Sequence, residues 1–136
     1  MTRKRDMDLI RSLMLEIEGG KASFEPISDE EADMLGIQHD GPPMSDEEAE
    51  RLEMHLQLIE EAKFVIFARH GGNWVVDRIT GKGHDFLDSV RDPAIWGKAK
   101  ESAKKVGGLT LELIVAAAKG YLKKQFQSHM GFDMEF

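Results

Sequence analysis

A change of hydrophobic period in the middle of a helical chain limits the fold more than any other feature of this sequence. The run KFVIFAR (63–69) has the composition and period of a strand, and NWVVDRI (73–79) supplies a second strand. Turn residues lie between them in HGGN, so the two runs predict a β-hairpin. Helical patterns precede and follow it. The sequence therefore predicts a mainly α protein with a small β-hairpin.

The first predicted helix lies at the N-terminus. Met7, Ile10, Met14 and Ile17 recur at helical spacing and give this segment one apolar face. Asp6 is placed to cap the start of the helix, and the glycine pair that follows residue 18 is placed to end it.

Two further helix starts come from a short internal repeat. PISDEEADML and PMSDEEAERL carry the same capping box, in which Ser28 or Ser45 accepts the amide of the third helical residue. In each copy the glutamate at that third position, Glu31 or Glu48, is predicted to reach back to the cap amide. Gly36 stops the first of these helices early, whereas the second extends over about 46–63.

A fourth helix follows the hairpin, with Thr80 as its cap and Phe86, Leu87 and Val90 on its inner face. Gly83 is predicted to allow a close approach to the hairpin. Three helices, a two-stranded wing and a helix form the order of a winged helix-turn-helix domain, assigned to residues 1–92.

Beyond this domain Pro93 separates the fourth helix from a helix at 94–105, and a last helix begins after Thr110. Residues 93–126 are predicted to be a helical extension packed on the same globular unit, and 127–136 to be a flexible tail. The last helix is apolar almost all the way round, so a second face needs cover. A homodimer through Leu113, Val115 and Ala117 is predicted; the alternative is that helix 94–105 covers this face within one chain.

Charge is distributed unevenly along the chain. Residues 21–62 hold thirteen acidic side chains against two basic ones, whereas residues 93–136 have a net charge of +3. This layout favours contacts with proteins over binding to a phosphate backbone. The chain has no cysteine and no apolar run long enough to span a membrane, which favours a cytoplasmic protein.

The stretch ITGKGHDFLDSVRDPAIW (79–96) concentrates the residues that a catalytic or metal site would need. His84 and Asp88 share one helix face at i,i+4 spacing, which two metal ligands or a base and its orienting partner could use. No third ligand is indicated by the other histidines, and His55 beside an apolar stripe is interpreted as an edge-of-core residue. We expect no catalytic residue, no cofactor and no metal site, and hence no enzyme.

Three segments resemble the family catalogued as domain of unknown function 2513: RDMDLIRSLMLEIE, HLQLIEEAKFV and ITGKGHDFLDSVRDPAIWGKAKESAKKVGGLTLELI. The resemblance implies a fold similar to winged helix proteins and an origin in phage or prophage genomes, and it carries over no catalytic residue. Residues 20–43 match the family pattern poorly, and either a short helix or a loop is compatible with them.

Two functions compete for the helix at 46–63. An interaction module would present its acidic face (Asp46, Glu47, Glu50, Glu53) to a protein partner such as a host factor, which it would regulate or inhibit. A DNA-binding transcriptional regulator is the alternative, with the contacts Arg51, Arg69, His70, Asn73 and Arg78. Nucleic acid is disfavoured because the carboxylates would face phosphates and bases.

Overall fold

A computed structural model describes residues 3–38 and 41–130 of the chain. These residues are mainly helical and contain a small three-stranded antiparallel sheet. The elements in chain order are α1 (Met7–Glu18), β1 (Ser23–Phe24), α2 (Asp29–Leu35), α3 (Asp46–Glu61), β2 (Val65–His70), β3 (Asn73–Ile79), α4 (Gly81–Val90), α5 (Pro93–Val106) and α6 (Leu111–Met130).

The chain divides into two compact units, Met1–His84 and Asp85–Phe136. The boundary between them falls inside α4, whereas the sequence predicts one after residue 92. Helix α6 continues to Met130, so the first four residues of the predicted 127–136 tail are helical. The rest of that tail lies outside the described residues.

In the first unit, α1 packs against α3 and β3 through one apolar stripe. Its five buried residues recur every three or four positions, as an amphipathic helix requires: Met7, Ile10, Leu13, Met14 and Ile17. The predicted cap is confirmed, because Asp6 Oδ1 accepts hydrogen bonds from the amides of Asp8 and Leu9.

The repeated helix starts are confirmed in α2 and α3. Ser28 Oγ accepts from the Glu31 amide and Ser45 Oγ from the Glu48 amide, both at 3.1 Å. The reverse half of the box differs from the prediction in α3. Glu48 Oε1 accepts from the Ser45 hydroxyl at 3.2 Å, because an exposed hydroxyl can rotate to suit the nearby carboxylate.

The predicted hairpin is present, but it belongs to a three-stranded sheet in the order β1-β3-β2. Strand β1 pairs Ser23 with Val75 and Phe24 with Trp74. It is two residues long, too short to show the alternation by which strands are recognised, so the sequence does not reveal it. Phe24 and Trp74 are both buried, and they place this sheet in the core of the first unit.

Thr80 and Gly83 join the end of the sheet to α4, as predicted. Thr80 Oγ1 accepts from the Gly83 amide at 3.0 Å and donates to the Lys63 carbonyl at 2.6 Å. A Cβ on Gly83 would lie 2.1 Å from the Phe64 carbonyl oxygen, well inside van der Waals contact. Only glycine lets α4 approach the residue before β2 so closely.

The second unit contains the helical hairpin of α5 and α6. Pro93 occupies the first position of α5, where its missing N–H is harmless, and Asp92 caps that helix. Trp96, Ala99 and Ala103 of α5 are buried, as are Ile114 and Ala118 of α6. A hydrogen bond of 2.8 Å between Ser102 Oγ and the Tyr121 hydroxyl ties the two helices together.

Candidate protein-interaction site

The exposed side of α3 carries an acidic stripe along its whole length. At about 100° per residue, Asp46, Glu50 and Glu53 project from one face of the helix, which borders the buried Ala49. Glu47 lies at the edge of this face, and all four predicted acidic residues are exposed. The acidic face that the sequence predicts therefore exists as one surface.

A groove of about 360 Å³ lies between α2 and α3 and includes part of that stripe. Its lining residues come from both helices and the segment before α2: Pro26, Glu30, Glu31, Met34, Asp46, Ala49, Glu50 and Glu53. Two features of the chain position the helices. The Asp29 amide donates to the Met44 carbonyl at 2.9 Å, and the buried Ala32 and Ala49 add little bulk between the two helices.

The negative charges of the groove are not balanced by ion pairs among the residues that the structure describes. Five carboxylates line it, those of Glu30, Glu31, Asp46, Glu50 and Glu53, and none of them has an ion-pair partner there. Farther along α3, Glu60 differs, since its Oε1 lies 3.2 Å from Arg69 Nη2. The unpaired charges therefore concentrate at the α2 end of the stripe.

The same end of the molecule exposes apolar side chains. Met34, Leu35 and Ile37 are 81%, 62% and 44% exposed, and they follow one another closely at the end of α2. Sequence reasoning did not identify Met34, Glu30 or Glu31 as part of a site. The early stop at Gly36 is the signal that could have identified Met34. A helix that ends there buries Ala32 but is too short to bury Met34 and Leu35 as well.

His55 has the structural role that its position predicts. It is fully buried, and its Nε2 accepts a hydrogen bond of 2.8 Å from the Asp6 amide. Because that amide can only donate, the ring hydrogen is on Nδ1, which lies 2.7 Å from the Arg51 carbonyl oxygen. This neutral histidine links the start of α1 to the middle of α3.

Two of the predicted DNA contacts are engaged inside the first unit. Arg51 forms an ion pair with Asp6. The guanidinium of Arg69 lies 3.2 Å from the centre of the Trp74 ring and also pairs with Glu60. Both arginines therefore link secondary-structure elements, a role that depends on tertiary neighbours and is not visible in the sequence.

The other predicted DNA contacts lie on the hairpin. His70 and Asn73 are opposite each other at its tip, and Arg78 is exposed opposite Ile66. Arg69 lies on the other face of the sheet from these three residues, because successive side chains along a strand point to alternate faces, and Arg51 belongs to α3.

The His84 and Asp88 pair is exposed on α4. Asp88 Oδ1 accepts a hydrogen bond of 2.9 Å from Arg91, its neighbour at i+3. In the part of the chain that the structure describes, no three histidine or acidic side chains come close enough to hold a metal ion.

The predicted dimer residues do not share one face of α6. At about 100° per residue, Leu113 and Ala117 lie on one flank of the buried Ile114 and Ala118, and Val115 lies on the other. Leu113 is 37% exposed, whereas Val115 and Ala117 are partly buried. A single flat interface can therefore include Leu113 with Ala117 or it can include Val115, but not all three.

None of the helices described, α6 included, combines the length and the apolar character that crossing a membrane requires.

The chain matches the model of the family described as Hypothetical protein (DUF2513) over residues 4–110. No curated protein matches the chain, and no solved structure does. The matched region spans α1 to α5 and therefore includes the groove, the sheet and His55. The chain belongs to the DUF2513 family.

Proposed function

We propose that this member of the DUF2513 family is a non-enzymatic winged helix module, of phage or prophage origin, that acts in the cytoplasm. It regulates or inhibits a protein partner, such as a host factor, through the acidic face of α3. The observation that carries this proposal is the groove between α2 and α3, in which five carboxylates form no ion pair among the described residues. Like charges held together without counter-charges destabilise the protein that carries them, and a basic partner would neutralise them.

The winged helix part of the proposal is supported by the order of elements in the first unit. A helix, a short strand, two helices and a hairpin follow one another, and β1 joins the edge of the sheet beside β3. In such a domain α3 occupies the place of the helix that would enter a DNA groove. Function nevertheless depends on the residues of the site, and here they are acidic.

The test is partner capture with matched charge reversals. The double variant Glu50→Lys, Glu53→Lys inverts charge in the groove, and Glu101→Lys, Glu112→Lys makes the same change on exposed positions of the second unit. We expect proteins from a host lysate to be retained by the wild type and the second double variant, and lost from the first. Identical sets of bound proteins on all three would refute an acidic interaction face.

DNA binding by a transcriptional regulator is the second candidate, favoured only by the helix order. Against it, Asp46, Glu50 and Glu53 would face the phosphates or bases of the DNA groove that α3 entered. A gel shift with random and self-upstream DNA distinguishes the two. Sequence-dependent retention that Arg78→Ala abolishes would make DNA binding the better reading, and Arg78 suits this test because it is exposed on the hairpin.

A homodimer through α6 is proposed as the assembly, supported by the partial exposure of Leu113 on a helix with few buried residues. Leu113→Glu and Val115→Glu probe the two flanks of α6 separately. Analytical ultracentrifugation at tens of micromolar should show a dimer that one of the two variants dissociates. A wild-type monomer, or a dimer that both folded variants retain, would refute it.

A further inference from the structure

The apolar patch at the end of α2 is the least explained surface of the first unit. Met34 is 81% exposed and projects at the groove, while Leu35 and Ile37 continue the patch at 62% and 44% exposure. Single apolar residues on a surface are ordinary, but three large ones within four positions form a patch that a soluble protein usually keeps for a partner.

The conformation of this patch is held by backbone hydrogen bonds. Gly36 has a left-handed backbone with φ of 68°, and the Ile37 amide donates to the Ala32 carbonyl at 2.9 Å. This is the pattern of a Schellman helix end, which fixes the direction in which the chain leaves α2. The exposed side chains therefore stand on an ordered turn.

The charges around Met34 select the occupant. Glu30 precedes Met34 by one helical turn, and Glu50 and Glu53 face it from α3 across the groove. An acidic segment would be repelled, and a purely apolar one would have to bury these carboxylates without a counter-charge. A segment that presents both cations and an apolar side chain satisfies both requirements.

We infer that the groove between α2 and α3 binds a basic amphipathic helix of a protein partner, with one apolar side chain of that helix packed on Met34. The inference rests on the proposed function and specifies its partner. Methionine suits this role because its unbranched, polarisable side chain adapts to ligands of different shape. The binding mode is a helix in a groove, in which apolar anchors fix the position and charges at the rim set the specificity.

The experiment uses two synthetic peptides of equal length and equal charge. One is an amphipathic helix of leucine and lysine, and in the other every leucine is replaced by serine. Binding to the full chain is followed by calorimetry and by the methyl resonances of methionine labelled with ¹³C at Cε, with Met34 assigned from its loss in Met34→Ser. We expect the leucine peptide to bind at least about tenfold more tightly than the serine peptide and to shift the Met34 resonance.

The matched variants are Met34→Ser and Val106→Ser, which remove exposed apolar side chains from the first and second units. Met34→Ser should lower affinity for the leucine peptide to that of the serine peptide, and Val106→Ser should leave it unchanged. Both side chains are exposed, so neither change threatens the fold. Equal losses in the two variants would mean nonspecific apolar binding and would overturn the inference.

The remaining outcomes separate the inference from the function on which it rests. If both peptides bind equally, and Glu50→Lys with Glu53→Lys abolishes binding, the acidic interaction face stands and the apolar anchor is wrong. If neither peptide binds, both fail. If the wild type is a dimer that Met34→Ser dissociates, a second copy occupies the groove, and a separate partner helix is excluded.

Discussion

Helices α2 and α3 begin with nearly the same residues but differ in length and in what they bury. SDEEADML (28–35) and SDEEAERL (45–52) share a serine cap, an acidic first turn and a buried alanine. Yet α2 has 7 residues and α3 has 16. At the eighth position of the repeat, Leu35 is 62% exposed, whereas its counterpart Leu52 is partly buried.

The residues that come after the shared segment explain the difference. In α3 the repeat is followed by His55, Leu56 and Ile59, all fully buried, and this continuing stripe holds the helix in the core. In α2 the next residue is Gly36, whose left-handed conformation ends the helix before a second buried position can occur. Local signals thus decide where each helix begins, and later burial decides its length. The shorter copy is left with exposed side chains that can serve binding.

The largest expected effect comes from removing a buried apolar side chain of α3. Leu56→Ala removes a fully buried side chain and should lower the free energy of unfolding by about 2–5 kcal/mol. Leu35→Ala removes the same atoms from an exposed position and should change it by no more than about 0.5 kcal/mol. Urea denaturation measures both. Equal costs would mean that Leu35 is buried in solution and that the two copies do not differ as described.

The two caps provide a sharper comparison, because the same side chain makes the same bond in different surroundings. Ser28 is buried and Ser45 is exposed. Ser28→Ala leaves the part-buried Glu31 amide without its partner and should cost about 1–3 kcal/mol. Ser45→Ala lets water replace the hydroxyl and should cost about 0.5–1 kcal/mol. Urea denaturation measures both costs, and hydrogen exchange of the Glu31 and Glu48 amides reports on each cap locally. A larger cost for Ser45→Ala than for Ser28→Ala would contradict the prediction.

Features that depend on a few neighbouring residues could be predicted from the sequence. The helix starts at Asp6, Ser28 and Ser45, the hairpin, and the close approach at Gly83 all follow from side chains and turns within a few positions. The structural role of His55 could also be predicted from its place beside the apolar stripe of α3, but the sequence puts it at the edge of the core and the structure buries it fully.

Features that depend on distant partners could not be predicted. Strand β1 exists because Phe24 meets Trp74, fifty residues later, and two residues cannot show a period. The sequence makes Arg69 a candidate DNA contact, and its contacts with Trp74 and Glu60 depend on the fold. Met34 belongs to the candidate site because α3 lies across the groove from it, a neighbour that the local sequence does not indicate.

The stop at Gly36 can be tested by itself. Gly36→Ala meets no neighbouring atom within 4 Å, so only the left-handed backbone opposes it. We expect a cost of about 1–2 kcal/mol in urea denaturation. Gly120→Ala in α6 also has open space but lacks a positive φ, and it should stabilise the protein by about 0.5–1 kcal/mol. A gain in stability for both variants would show that α2 is free to extend and that Gly36 does not set its length.

The smallest expected effect concerns the unpaired charge itself. Glu50 is surrounded on its own helix by Asp46, Glu47 and Glu53, each three or four residues away, and it lies beyond the first turn, where the helix dipole would favour a negative charge. Glu50→Gln should therefore stabilise the protein by about 0.2–0.5 kcal/mol, and the gain should shrink as salt is added. Thermal denaturation at low and high ionic strength measures this gain. Glu60→Gln is the control, because it removes an ion pair with Arg69 and should gain nothing.

A stabilising Glu50→Gln that also weakens partner binding would show that this chain keeps a carboxylate at the expense of its own stability, as residues retained for binding commonly do. If Glu50→Gln were destabilising instead, an unseen cation would have to hold that carboxylate, and the acidic face would be part of the fold.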